Sequence, residues 1–295
     1  MTDRKPLEGM SAIITGASQG FGRAVAKAYV AAGANVLICA RSGDKLNAAR
    51  DQLNQHAASE QIVAAVTADV SDPDDVDRLV ATALDRLPGL DILVNNAGIV
   101  GPIGPAETVG WTDWTRTVQI NLYGSVLPCR AVIPHFRNQK RGRIVQVSAG
   151  GATSPDPAFS AYASSKAAAV SFAATLAEEV RADGITVNAL APGGLSTSMN
   201  DEKLAAGPEL LGEEVYQSLK RRQRDGGVPL ELGAELAVFL GSDQSAGITG
   251  KLISAVWDDW HDLLRHVEDL TGSDVYTLRR ILPDERGFSW GKKPT

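Results

Sequence analysis

Cysteine is scarce. The two present among 295 residues, Cys39 and Cys129, stand in no CxxC pair. That argues against a disulfide framework or a cysteine-held zinc and makes a reducing compartment the expectation. Long apolar runs are lacking too: no stretch approaches the ~18 residues that a membrane helix needs. The opening MTDRKPLEGM carries charge but no apolar core before Ser11, so no cleaved leader is expected and the cytoplasm is the expected location. Basic excess is missing, with 29 Lys and Arg against 35 Asp and Glu for a net charge of -6. This leaves no general basic face for a nucleic-acid backbone. No internal repeat or low-complexity linker divides the chain. His261 and His266 are five apart, off a shared helix face, so no metal site is expected. What remains is an ordinary globular balance of 44% hydrophobic and 22% charged residues.

Those apolar residues fall into short runs alternating with longer segments of helical period. Strands are expected over residues 10–15, 34–40, 61–68, 90–95, 143–147, 185–190 and 252–256. Helices are expected over 20–32, 42–58, 75–87, 114–137, 162–182 and 232–240. The run Ile92-Leu93-Val94 does not alternate with polar residues, as fits a strand covered on both faces. Strand-helix alternation with right-handed crossovers predicts one α/β domain, a doubly wound seven-stranded parallel sheet with helices on both faces.

Between the first strand and helix lies Thr15-Gly16-Ala17-Ser18-Gln19-Gly20-Phe21-Gly22. Glycines let a backbone approach a pyrophosphate, and a helix N-terminus offers unpaired N–H groups with partial positive charge. The GxxxGxG spacing resembles the loop of the short-chain dehydrogenase/reductase family. Four further elements follow in that family's order: Asn95-Asn96-Ala97-Gly98, Asn121 in QINLYG, Tyr162-Ala163-Ser164-Ser165-Lys166 as YxxxK, and Pro192-Gly193-Gly194-Leu195-Ser196-Thr197 as PGxxxT. The resemblance spans about residues 8–256 and implies a Rossmann fold and an oxidoreductase that interconverts a carbonyl and an alcohol.

It also implies a tetrad of Asn121, Ser148, Tyr162 and Lys166, with Asn121 holding a water in a proton relay and Lys166 also holding the nicotinamide ribose. Residues i and i+4 share a helix face, so the Lys166 ammonium is expected near the Tyr162 hydroxyl, lowering its pKa toward working pH. The serine is less straightforward. Counting back thirteen residues from Tyr162, the family's usual spacing, lands on Ala149, while Ser148 fits the S-x-x-G wording with Gly151. Either the loop 152–161 carries one extra residue and Ser148 serves, or the site works with three residues and Thr153 or Ser154 stands in.

Cofactor contacts implied by the resemblance fall on Gly16, Ser18, Gln19, Gly20, Phe21, Gly22, Arg41, Ser42, Asp69, Val70, Asn96, Ala97, Gly98, Pro192, Gly193, Leu195 and Thr197, besides Tyr162 and Lys166. An NAD-preferring fold ends its second strand in Asp or Glu to bind the ribose 2′-hydroxyl. Here Ala40 occupies that position and Arg41 follows. A guanidinium suits a 2′-phosphate, so NADP(H) is expected in preference to NAD(H). Gln19 is neutral, so no second basic residue is expected there.

Residues 199–227 fall where the family has its substrate lid. The lid cluster Lys220-Arg221-Arg222-Gln223-Arg224 faces either an anionic substrate or solvent, as one side of an amphipathic helix. The catalytic domain is read as 1–256 and a C-terminal extension as 257–295. In the extension Trp257, Trp260, Leu264, Val267 and Leu270 recur at helical spacing. They predict a stripe buried on the domain or on a neighbouring subunit of a homo-oligomer, a dimer or tetramer. The only other partner expected is a small-molecule carbonyl or alcohol.

Overall fold

Short buried strands with little room for polar side chains lie side by side, all parallel. The structure, a computed structural model, describes residues 4–290, so the outermost residues of both expected segments lie outside it. In chain order the regular elements are β1 (Ser11–Thr15), α1 (Gly20–Ala31), β2 (Asn35–Ala40), α2 (Gly43–Asn54), β3 (Val63–Thr67), α3 (Pro73–Arg86) and β4 (Ile92–Asn95). Next come α4 (Trp111–Val118), α5 (Gly124–Gln139), β5 (Gly142–Val147), α6 (Ser160–Val180) and β6 (Ile185–Ala191). The chain then forms α7 (Ser198–Ala205), α8 (Gly207–Leu211), α9 (Glu213–Asp225), α10 (Leu230–Gly241), β7 (Leu252–Ser254) and α11 (Val267–Thr271). The seven strands run in the order β3-β2-β1-β4-β5-β6-β7.

Each sheet face is covered by helices. Phe21, Val25, Tyr29 and Val30 of α1 pack with Leu236, Ala237 and Leu240 of α10 on one face. Leu79 and Ala83 of α3, Val132 and Phe136 of α5, and Ala173 and Ala177 of α6 fill the other. Double coverage explains the unbroken apolar runs of β1, β2 and β4. Strand order reverses between β1 and β4, which opens a crevice beyond their carboxyl ends. No helix among the described residues is long and apolar enough to cross a membrane.

Several boundaries differ from the pattern in the sequence. α3 starts at Pro73 rather than at 75, because the Asp72 carboxylate accepts the Asp75 N–H at 3.1 Å and the proline sits in the first turn. The long helix expected over 114–137 is two, α4 and α5, joined by a π-helical turn over Gln119–Tyr123. Residues 199–227 are mostly helical, supplying α7 to α9.

The tail departs most. Instead of one stripe, Trp257 is 86% exposed and Leu264 46%, whereas Trp260, Leu263 and Leu270 are buried. A turn from Trp260, whose carbonyl accepts the Leu263 N–H at 3.5 Å, leads into a 3-10 turn over Leu263–His266, which breaks the helical period, and Trp260 and Leu263 are buried together. Both face the chain's own core, with the Trp260 ring 5.5 Å from that of Phe239 in α10. Beyond α11 the chain returns to the sheet edge. Leu252 N–H donates to the Tyr276 carbonyl at 2.7 Å, and Lys251 Nζ donates to the carbonyls of Ser273 and Val275, each at 2.9 Å. The tail thereby caps the outer edge of β7.

Candidate active site

The crevice is floored by the turn after β1. Thr15 Oγ1 accepts the N–H groups of Asn96 at 2.9 Å and Ala97 at 3.0 Å. The Asn96 carboxamide donates in return to the carbonyls of Thr15 at 2.9 Å and Gly16 at 3.2 Å. The two segments are therefore stapled, and the glycines follow from it. A Cβ on Gly16 would lie 2.7 Å from Ala97 Cα, and one on Gly22 would lie 2.3 Å from Asn96 Nδ2 and 2.5 Å from the Gly16 carbonyl oxygen. At the head of α1, Gln19 supplies no side-chain cap, so the first-turn N–H groups receive none from it.

From this floor a cavity of about 1000 Å³ runs past the ends of β2, β4, β5 and β6. It is lined by every sequence-expected cofactor residue and by Ser148, Tyr162 and Lys166; Asn121 alone lies behind its wall. At the β2 end Ala40 is followed by an exposed Arg41 and by Ser42, and Lys45 joins them from the first turn of α2. Lys45 Nζ lies 3.4 Å from Gln19 Oε1. Gln19 itself is neutral, but Lys45, four residues after Arg41 and in the first turn of α2, brings a cation to the same rim. At the β3 end Asp69 is already engaged. Its carboxylate accepts from Ser71 N at 3.0 Å, Ser71 Oγ at 2.6 Å and the Arg116 guanidinium. Burial raises its pKa, but those bonds outweigh burial and hold it below the usual range.

Ser148 sits one residue past β5, its N–H donating to the Leu190 carbonyl at 2.7 Å. Its Oγ is buried and has no partner among the described residues. Thr153 Oγ1 instead donates to the Gly150 carbonyl at 3.2 Å and sits in an exposed stretch with Ser154. The loop from Ala152 to Ala161 carries Ala158 at φ +68, whose carbonyl accepts the Gly104 N–H at 2.9 Å.

Tyr162 and Lys166 share one buried face of α6. Lys166 Nζ donates to the Val147 carbonyl at 3.1 Å, and burial pushes its pKa down to about 8. The Tyr162 hydroxyl lies 3.7 Å from Met199 Sδ of α7. Burial, aided by the Asp156 carboxylate, pushes its pKa up to about 12. The expected lowering is thus not found. Burial and the Asp156 carboxylate both raise the phenol, while the Lys166 ammonium is directed at the Val147 carbonyl.

Asn121 occupies the π-helical turn between α4 and α5, fully buried. Its Oδ1 accepts the Ile99 N–H at 2.9 Å, and its Nδ2 donates to the Ile99 carbonyl at 3.0 Å and to Ser165 Oγ at 2.9 Å. The side chain is committed to holding the segment after β4 against α6. A π-turn of this kind is often found at functional sites.

Two cations missed or left open by the sequence reading also reach the cavity. Lys203 of α7 holds its Nζ 4.6 Å above the Phe159 ring and 5.0 Å above that of Tyr162. Of the basic cluster on α9, Arg222 lines the cavity, while Arg224 pairs in solvent with Asp225. Helical periodicity could have singled out Arg222, since Leu219, three residues earlier, is the buried residue of that helix. Nothing in the sequence marks Lys203.

A doubly wound sheet that opens its switch-point crevice over a glycine-rich turn defines a dinucleotide-binding α/β protein. A family model described as short chain dehydrogenase matches residues 10–207, and the chain belongs to the short-chain dehydrogenase/reductase family of oxidoreductases, which use a nicotinamide dinucleotide cofactor. It is similar to glucose 1-dehydrogenase of Gluconobacter oxydans, 35% identical over 83% of this chain and 90% of that one. It is also similar to 3beta-hydroxysteroid dehydrogenase 1 of Eggerthella lenta, 36% identical over 83% and 91%. Among solved structures it resembles levodione reductase with a TM-score of 0.77, at 27% identity over 84% of this chain and 96% of that one.

Proposed function

We propose that this protein transfers hydride between NADP(H) and a ketone or secondary alcohol. One observation carries the reading. The Ser148 hydroxyl, buried and without a protein partner among the described residues, lines the same cavity as Tyr162 and Lys166, so it is available to hydrogen-bond a substrate oxygen placed there. The floor fits a dinucleotide: the glycine turn leaves no side chain over the loop backbone, and the cations Arg41 and Lys45 flank an Ala40 that offers no carboxylate. Those two would hold the 2′-phosphate, and the first turn of α1 the pyrophosphate. When bound, the nicotinamide supplies or accepts the hydride.

The remaining chemistry belongs to the chain. Tyr162, protonated at neutral pH, donates its hydroxyl proton to the substrate oxygen during reduction and takes one back during oxidation. Lys166, held by Val147, keeps a positive charge beside that exchange below about pH 8. Ser148 donates a hydrogen bond to the carbonyl oxygen and orients it. Asn121 fixes the backbone of Ile99 against α6, a positioning role. Relatives named as dehydrogenases or reductases support the reaction class.

In this reading residues 1–256 carry the catalytic residues, with 199–227 as the lid, and 257–295 are an extension that packs on the domain through Trp260, Leu263 and Leu270 and would join subunits through its later residues. Exposed Ile281, Leu282, Phe288 and Trp290 support a homo-oligomer, a dimer or tetramer. The test of the activity is NADPH and NADH oxidation by the purified protein across ketones and aldehydes of varied size and charge. NADPH-dependent reduction of at least one carbonyl is expected; a preference for NADH, or no reduction at all, refutes the proposal.

A further inference from the structure

Two cations converge on the substrate end of the cavity without a carboxylate partner. Lys203 and Arg222 both line it, and among the described residues neither has an acidic oxygen within 4.0 Å. Of the neighbouring bases on α9, Arg224 is paired with Asp225, Lys220 sits 4.9 Å over the Tyr216 ring, and Arg221 does not line the cavity. Arg222 is held against the turn after β6. A Cβ on Gly194 would fall 2.8 Å from its Cζ, Nε and Nη2. Lys203 is held by the faces of Phe159 and Tyr162.

Such an arrangement carries a desolvation cost. Burial lowers the Lys203 pKa, Asp156 opposes that only from a distance, and the Arg222 charge adds to it. Ring faces return only part of the lost hydration of such a cation. A desolvated cation is best compensated by an anion with hydrogen-bonding oxygens. Asp156 and Glu202 also line the cavity, but neither closes to ion-pair distance. The gap between the two cations is therefore left for a guest.

We propose that the substrate is a carbonyl compound bearing a carboxylate or phosphate group, which Lys203 and Arg222 grip while Tyr162 faces the carbonyl oxygen. The inference rests on the reductase reading for the role of Tyr162, but the anion site stands on its own geometry. An anionic tail held here also explains why basic residues of two separate lid helices, α7 and α9, turn inward together: the guest would draw both onto the tyrosine.

The test uses matched pairs: short keto acids against their methyl esters, and a phosphorylated hydroxyketone against its free alcohol. Each is assayed for NADPH oxidation by the full chain and by Lys203→Gln and Arg222→Gln. Charged hydrogen bonds of this sort predict a kcat/KM ratio of anion to neutral partner of roughly ten- to hundredfold, collapsing in both variants. The keto-acid and phosphate arms tell the two anions apart. A ratio near one, or one that survives both substitutions, overturns the proposal. So does an equal loss for acid and ester in Lys203→Gln, which would make Lys203 a positioning residue for Tyr162, or weakened NADPH affinity alone in Arg222→Gln. Calorimetric titration of the same pairs into NADPH-loaded Tyr162→Phe separates the two readings. Lys203-dependent binding of the anions with no turnover in the wild type would overturn the reductase and keep the anion site.

Discussion

Tyr162 and Lys166 carry opposite burdens from one cause. Desolvation raises the phenol and lowers the ammonium, so the bare site holds a neutral tyrosine beside a costly charge. Replacing Tyr162 by Phe removes the proton and little else, and kcat is expected to fall by at least ~100-fold with NADPH affinity nearly unchanged in fluorescence titration. Lys166 gives a prediction with the sign of stability in it. Its folded pKa of about 8 lies below the 10.5 of a lysine in water, so the folded state binds fewer protons than the unfolded one between those values. Stability therefore rises with pH across that window, and the full penalty is present below about pH 8. Lys166→Met should raise the melting temperature of the cofactor-free protein at pH 7 while crippling turnover. That advantage should shrink by pH 9.5, below the range where Tyr162 titrates. A melting gain that does not change between the two pH values would contradict the assignment.

At the scale of elements, the β1–α1 turn works only because it is bare and stapled to the segment after β4. Gly22→Ala would drive a methyl group into the Gly16 carbonyl and the Asn96 carboxamide. Overpacking of this kind costs about 1–3 kcal/mol, read as a lower urea midpoint, and NADPH binding should fall with it. The end of β2 and the start of α2 make a second unit. Arg41→Ala and Lys45→Ala should each weaken NADPH binding roughly ten- to hundredfold and leave NADH binding nearly unchanged. NADPH affinity should also decline with added salt, because both side chains meet solvent. Equal effects on the two cofactors would assign them to general positioning.

For the whole molecule the tail holds two distinct parts. Trp260, Leu263 and Leu270 belong to the main core, and Tyr276 caps the β7 edge. Cutting after Val256 deletes all of them. At about 2–5 kcal/mol for each large buried side chain, the loss is comparable with the total stability of a domain, so that truncation should not fold. Cutting after Leu278 keeps the anchors and the cap but removes Ile281, Leu282, Phe288 and Trp290. The shorter protein should melt within a few degrees of the full chain and show a smaller mass by light scattering. An unchanged mass would take these side chains out of the subunit contact.

Much of this was legible in the amino-acid order, because local rules dominate there. Strand-helix alternation follows from apolar runs and their period. The glycine turn, the Tyr162–Lys166 spacing and Arg41 after Ala40 are short-range patterns whose geometry is set by a few backbone angles. Tertiary structure decided whatever depends on a neighbour distant in sequence. Ser148 is distinguished by a hydroxyl left without a partner, while Thr153 spends its own on Gly150. Lys45 and Lys203 reach the cavity only when helices are docked. The tyrosine pKa rises because of burial, a property of the packed whole, and because the loop brings the Asp156 carboxylate near. The tail's tryptophans share a helical spacing in the sequence, yet Trp260 is buried and Trp257 faces solvent. The position of Phe239 on α10, against which the Trp260 ring packs, decides which of them finds a surface to cover.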